Sequence, residues 1–142
     1  MKIAFACDHA GFDMKLRLME YIKEKGHEIT DLGCFSSQPS DYPDFGHLLA
    51  RHISEKVSDI GFSLCGTGNG INMTANKHAQ IRSALCWNAN IAELARKHND
   101  ANICAIPARF IGPEEVRKVA DAFISSDFEG GRHQLRIDKI PL

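Results

Sequence analysis

The sequence predicts a single α/β domain in which a parallel sheet of about five strands is covered by helices on both faces. Three observations predict it. Short apolar runs alternate with segments whose apolar residues recur at helical spacing. The connections between them are short. Glycine-rich or polar residues stand repeatedly where a strand ends, which in open α/β sheets is where ligands lie.

The apolar run Lys2 to Cys7 ends in Asp8-His9-Ala10-Gly11, a buried strand and a turn. Phe12, Leu16, Met19 and Ile22 then follow the helical period until Gly26 stops the helix. Residues 28–32 make a weak strand built on Ile29 and Leu32. Gly33 to Pro43, with its serines, two prolines, Asp41 and Tyr42, reads as a loop. Phe45, Leu48, Leu49, His52 and Ile53 restore the helical period, and Ile60 to Leu64 is a second clear strand. It runs into Cys65-Gly66-Thr67-Gly68-Asn69-Gly70, and a helix begins near Gly70 with Ile71, Ala75 and Lys77. Ile81 to Cys86 is a strand, followed by a helix bearing Ile91, Leu94, Ala95 and His98, and Ile103 to Ile106 closes the strand series. Gly112-Pro113-Glu114-Glu115 starts a helix, with proline in the first turn and acids complementing the dipole. Val116, Val119, Ala120, Phe123 and Ile124 give it an apolar face. After Gly130-Gly131 a last short helical segment carries Arg132 and Arg136. No repeat, low-complexity tract or linker divides residues 1–142.

Composition narrows the function. The chain has 142 residues, 44% hydrophobic and 25% charged, with 17 Lys and Arg against 18 Asp and Glu, so the net charge is −1. That balance leaves no electrostatic case for nucleic acid or an anionic membrane. No apolar run approaches the ~20 residues that cross a bilayer. The apolar stretch before Cys7 is too short for a signal, and Asp8-His9 follows at once. Cys7, Cys34, Cys65, Cys86 and Cys104 form no CxxC pair, and His47 and His52 match no helical zinc motif, so no metal site is expected. An odd number of cysteines spread through apolar segments reads as free thiols in the cytoplasm.

Polar residues at the strand ends supply the chemistry. Asp8 and His9 follow strand one, the glycine loop strand three, Asn88 strand four and Arg109 strand five. Three glycines in residues 66–70 let backbone N–H groups face one concavity, as an anion site requires. The loop is no Walker motif, and its spacing and place after the third strand do not suit a dinucleotide fingerprint. A tight strand-to-helix turn would also need glycine. Cys65 reads on local grounds as a packing residue or as a thiol activated by the loop's N–H groups, and the loop tips the choice towards reactivity. Asp8 alone could be a turn cap, and His98 alone a core or capping residue. Arg132 and Arg136, four apart, share one helix face, either as a solvated pair with Glu129 or Asp138 or as a fork for phosphate.

Taken together, Cys-Asp-His-Ala-Gly (7–11), Ser-Asp-Tyr-Pro-Asp (40–44), Cys-Gly-Thr-Gly-Asn-Gly (65–70), Ala-Asn-Lys (75–77), Arg-Lys-His-Asn-Asp-Ala-Asn (96–102) and Glu-Gly-Gly-Arg-His (129–133) closely resemble the type B ribose-5-phosphate isomerases. That family also includes galactose-6-phosphate and allose-6-phosphate isomerases. The likeness runs nearly end to end. It implies a Rossmann-like, three-layer α/β/α domain with a C-terminal helical arm. It also implies a homodimer, or a tetramer, that interconverts aldose and ketose phosphates without a cofactor. Cys65 matches the base acting on the sugar carbon, His98 the ring-opening residue, and Thr67 belongs to the catalytic loop. Asp8, His9, Tyr42, Gly66, Gly68, Asn69, Gly70 and Asn99 match substrate contacts, and Arg109, Arg132 and Arg136 phosphate ligands. Sites in the family are built from two subunits, so the arm with its arginines is expected to reach a neighbour. Three of the eight arginines would then converge on one phosphate.

Two readings from other classes compete with this one. A nucleotide- or flavin-binding module would use the same strand-end crevice but has no need of Cys65. A thiol-redox protein would want a resolving cysteine beside Cys65, and no CxxC supplies one.

Overall fold

β1 (Lys2–Cys7) is buried from Ile3 onward. Its alternation sends Ile3, Phe5 and Cys7 into one core and only Ala4 and Ala6 into the other. A computed structural model describes this and every other element across residues 1–142. Asp8 caps the single 3-10 turn His9–Gly11 by accepting from the Ala10 and Gly11 N–H groups at 2.9 and 3.2 Å. The chain then forms α1 (Phe12–Glu24), β2 (Glu28–Asp31), α2 (Tyr42–Ser54), β3 (Ile60–Cys65) and α3 (Asn69–Ala75). It continues through β4 (Ser83–Leu85), α4 (Ala89–Asn99), β5 (Ile103–Pro107), α5 (Pro113–Ser125) and α6 (Arg132–Ile137).

All five strands are parallel, in the order β2-β1-β3-β5-β4. The predicted sequence of elements holds, with two shifts of boundary. β4 is shorter than the run 81–86, because Ile81 N–H closes a turn on His78 and Arg82 N–H is taken by the Asn102 side chain. Pairing with β5 therefore starts only at Ser83. α2 starts at Tyr42, three residues before its apolar period, with Asp41 at the cap and Pro43 in the first turn.

The two faces of the sheet differ in side-chain size. α1, α4 and α5 cover a core of 19 buried residues, in which Phe62 stacks on Phe5 at 5.4 Å and meets Phe123 edge-on at 5.7 Å. α2 and α3 cover a core of eight, built against Ala4 and Ala6. At Gly61 a Cβ would lie 3.0 Å from Leu49 and 3.3 Å from Ile103, so α2 sits close to the backbone of β3.

This topology creates the crevice. β1 feeds α1 on one face and its neighbour β3 feeds α3 on the other, so the chain diverges between their carboxyl ends. The turn leaving β1 packs on the end of β3 there, since a Cβ on Gly11 would meet the Leu64 carbonyl oxygen at 2.5 Å. No helix is long and apolar enough to cross a membrane.

Candidate active site

Cys65 is the last residue of β3 and is buried, with 4% of its surface exposed. Its carbonyl accepts from Ala108 N–H at 2.9 Å, and the Gly66 carbonyl accepts from Arg109 N–H at 3.1 Å. The turn after β5 is thereby fastened to the loop after β3. It lays the Arg109 side chain along Gly66, where a Cβ would stand 3.3 Å from Nη1.

Each loop glycine answers to a neighbour. Gly68 has φ +74° and its Cβ would collide with Leu85 at 2.4 Å. A Cβ on Gly70 would strike the hydroxyl end of the Tyr42 ring at 2.4 Å, so Tyr42 packs directly against the loop. Thr67 Oγ1 accepts from Asn69 N–H at 3.2 Å and holds the turn between them.

Ala10 lies within 3.7 Å of a Cβ position on Gly66, which brings the Asp8–His9 turn into the same crevice. His9 is clamped by Ser40, whose Oγ accepts from His9 N–H at 3.1 Å and whose own backbone nitrogen stands 3.1 Å from Nδ1. The same Nδ1 stands 3.2 Å from the Ser40 carbonyl oxygen, so the tautomer sets whether it accepts from the N–H or donates to the carbonyl. Asp8, His9, Tyr42, Cys65, Gly66, Thr67, Gly68, Asn69, Gly70 and Arg109 thus meet at the carboxyl end of the sheet. Asn88 does not join them as a ligand-facing group, because its Oδ1 accepts from Ile91 N–H at 2.9 Å and caps α4.

The remaining predicted residues lie elsewhere. α4 runs back against the strand direction, so its last turn reaches the amino end of the sheet. There the Asn99 and Asp100 carbonyls accept from Arg82 Nε, just before β4, at 2.9 and 3.0 Å. His98 stacks on His133 with ring centres 4.2 Å apart and planes 10° from parallel. Glu129 Oε2 stands 4.0 Å from His98 Nε2 and 3.5 Å from His133 Nε2. Glu129 N–H donates to the Lys97 carbonyl at 3.0 Å, which pins the arm to α4. Asn99 and Arg136 join the two histidines around a cavity of about 280 Å³.

Several expectations are corrected by this arrangement. His98 does not sit in the apolar face of α4, and its side chain is 38% exposed. Arg132 and Arg136 make no pair with Glu129 or Asp138, because Glu129 faces the histidines and Asp138 accepts from Gln134 at 2.7 Å. Arg109 stands at the opposite end from Arg132 and Arg136, so convergence of the three rests on the expected second subunit. From Ile60 to Cys65 the strand climbs about 17 Å, at 3.3 Å per residue. A single chain therefore does not bring His98, Asn99, Arg132 and Arg136 to Cys65.

Sequence reasoning gives His133 no role beyond its place in the Glu-Gly-Gly-Arg-His motif and reads Glu129 only as a partner for Arg132 or Arg136. His133 is buried, and loss of hydration, then the His98 ring and Arg132, push its pKa down. His98, Glu129 and His133 hold donor atoms within 4.8 Å of one another. Stacked, near-parallel rings share no point lying in both ring planes, so the two imidazoles cannot both aim a lone pair at one ion.

A family model described as Ribose/Galactose Isomerase matches residues 3–140. Ribose-5-phosphate isomerase B of Escherichia coli (strain K12) is 41% identical over 139 residues, covering 98% of this chain and 93% of that protein. The structure of the Clostridium thermocellum ribose-5-phosphate isomerase B superposes with a TM-score of 0.98 at 39% identity, over 99% of this chain and 95% of that one. That of the Mycoplasma genitalium enzyme, solved with bound ribulose-5-phosphate, gives 0.94 at 40% identity, over 98% and 93%.

Proposed function

The chain belongs to the ribose/galactose isomerase family and is an aldose–ketose isomerase, and we propose that it interconverts D-ribose 5-phosphate and D-ribulose 5-phosphate in a site shared by two copies of itself. The observation that carries the reading is the Cys65–Gly70 turn, where a buried thiol stands at the head of a loop in which the N–H groups of Gly66, Thr67 and Gly68 donate to no other backbone group.

Ribose 5-phosphate is mostly a closed furanose, so a proton must first move between the anomeric hydroxyl and the ring oxygen. His98 does this, an imidazole being suited to proton transfer near neutral pH. Cys65, as thiolate, then takes the C2 proton of the open aldehyde. The electron pair becomes the C1–C2 double bond of an enediolate, whose oxygens accept from N–H groups of residues 66–70 around Thr67. The same thiol returns the proton to C1, because the two carbons are adjacent, while the C2 hydroxyl proton passes to the C1 oxygen, leaving the C2 ketone and the C1 hydroxyl. This chemistry needs neither a metal nor a nicotinamide. Asp8, His9, Asn69 and Asn99 bind hydroxyls or the phosphate side, and Tyr42 walls the loop at Gly70. Arg109, Arg132 and Arg136 hold the phosphate, a role that suits planar guanidinium groups with no carboxylate within 4.0 Å.

A homodimer reconciles these roles with the geometry, one copy offering Cys65 and its partner His98 and the arm. A tetramer would repeat the same pairing. Five free cysteines suit work in the cytoplasm. The deciding assay follows ketose formation from ribose 5-phosphate, allose 6-phosphate and galactose 6-phosphate, with and without EDTA. Ribose 5-phosphate should give the highest kcat/KM, unaffected by EDTA. A higher value for a six-carbon sugar would reassign the substrate, and no turnover of any would leave a phosphate-binding module.

A further inference from the structure

Two thiols outside this machinery face each other. Cys7 ends β1 and Cys34 follows β2, and their Sγ atoms lie 3.6 Å apart in the protein interior. The backbone sets them there. Cys7 N–H donates to the Gly33 carbonyl at 2.6 Å and Cys34 N–H to the Cys7 carbonyl at 2.8 Å, extending the β1–β2 ladder past its last paired residues. A disulfide has its sulfurs ~2.05 Å apart, so closing the gap takes about 1.5 Å of sulfur movement.

The surroundings divide the labour between the two. Burial pushes the Cys7 thiol well above its usual range, with the Lys15 ammonium acting in the opposite direction. Cys7 is completely buried, while Cys34 keeps 5% of its surface exposed. Lys15, itself buried, donates to the Cys34 carbonyl at 2.7 Å and pairs with Asp31 at 2.5 Å, placing a fixed positive charge beside the sulfurs. Cys86 and Cys104 are both fully enclosed and offer an oxidant no comparable approach.

We propose that Cys7 and Cys34 are a site of reversible oxidation, closing to a disulfide when a peroxide reaches Cys34. The Cys34 sulfur attacks a peroxide oxygen, and the O–O bond breaks. The departing hydroxide takes the Cys34 proton as water and leaves a sulfenic acid. The Cys7 sulfur then attacks the Cys34 sulfur, so that the S–S bond forms and the S–O bond breaks. The hydroxide released takes the Cys7 proton as a second water. Two thiols lose two electrons and one hydrogen peroxide becomes two waters. The bond ties the strand end that carries Asp8 and His9 to the segment leading to Ser40, which clamps His9. The site does not depend on which sugar the enzyme turns over.

The test treats the wild-type chain with hydrogen peroxide, blocks remaining thiols with N-ethylmaleimide and maps peptides without reduction. Expected are a Cys7 peptide joined to a Cys34 peptide at ~2 Da below their summed mass, and its disappearance with dithiothreitol. Cys34→Ser should remove that linkage while its circular dichroism stays that of the wild type, and Cys7→Ser does the same should the first variant fold poorly. Both thiols recovered alkylated after peroxide, or Cys34 oxidised to sulfinic acid with Cys7 still free, would overturn the proposal.

Discussion

The carboxyl end of the sheet and the last turn of α4 hold the two polar clusters of this chain, and they are built in different ways. At the carboxyl end the backbone does the placing. Asp8 caps its own turn, Gly68 takes a positive φ, and the Cys65 and Gly66 carbonyls fasten the loop that carries Arg109. At the other end side chains on two helices do it, with His98 stacked on His133 over Glu129 and two arginines exposed without carboxylate partners. The first cluster has a buried thiol beside a glycine loop, and the second has imidazoles and unpaired positive charge. On the proposed mechanism each needs the other. In the homodimer proposed above, a C2 pair of chains would face one end against the other and make two identical composite sites.

Removing the thiol should have the largest effect. Cys65→Ala should lower kcat by ~10²–10⁴-fold, the span expected of a general base, with an unchanged circular dichroism spectrum. Near wild-type turnover would take the base away from Cys65. The two-ended site is tested by co-expressing Cys65→Ala with His98→Asn. Random pairing makes half the dimers mixed, each with one intact site of two, so roughly a quarter of wild-type activity should return. Mixed dimers as inactive as either parent would place both residues in the same copy's site.

The next effect separates the clusters by chemistry. His98→Asn should cost ~10²-fold on cyclic ribose 5-phosphate and far less on an aldose phosphate too short to close a ring. Equal losses on both would remove the ring-opening role. Smaller again, Arg132→Ala and Arg136→Ala should each raise KM for the phosphorylated sugar by ~10–100-fold through a lost charge-assisted bond. The same rise with a phosphate-free sugar would exclude the clamp.

The smallest effect belongs to the helix-built cluster and to His78, in the turn after α3, which meets His47 of α2 at 2.9 Å. The pKa of His133 is lowered by lost hydration, then by His98 and Arg132, and that of His78 by lost hydration, then by His47 and Arg51. The unfolded chain, titrating near pH 6.5, takes up protons sooner than the folded one. Their stabilisation is therefore complete above ~6.5 and is lost as pH falls through 6.5 towards the folded-state values. The thermal midpoint should fall between pH 7.5 and 5.5, and His133→Asn should flatten that slope. An unaltered slope would show that His133 contributes nothing to it.

Strand ends were legible in the sequence because their determinants are local: a run of apolar residues, then glycines or an Asx residue. The placement of β5 between β3 and β4 was not, since either order keeps connections short and parallel. Asn88 looked like a ligand-facing residue because strand-end position alone does not distinguish a contact from a helix cap. The meeting of His98 and His133 was hidden for another reason. The two lie on separate helices, and only tertiary packing of the arm stacks them.

The unequal cores on the two faces of the sheet also bear on how the molecule opens. Amides protected by the eight-residue core under α2 and α3 should exchange with deuterium sooner than those held by the 19 residues under α1, α4 and α5. The glycine loop runs directly into α3, the more easily opened layer. A sugar phosphate gripped by that loop would thus slow exchange along α3 while leaving α5 unchanged.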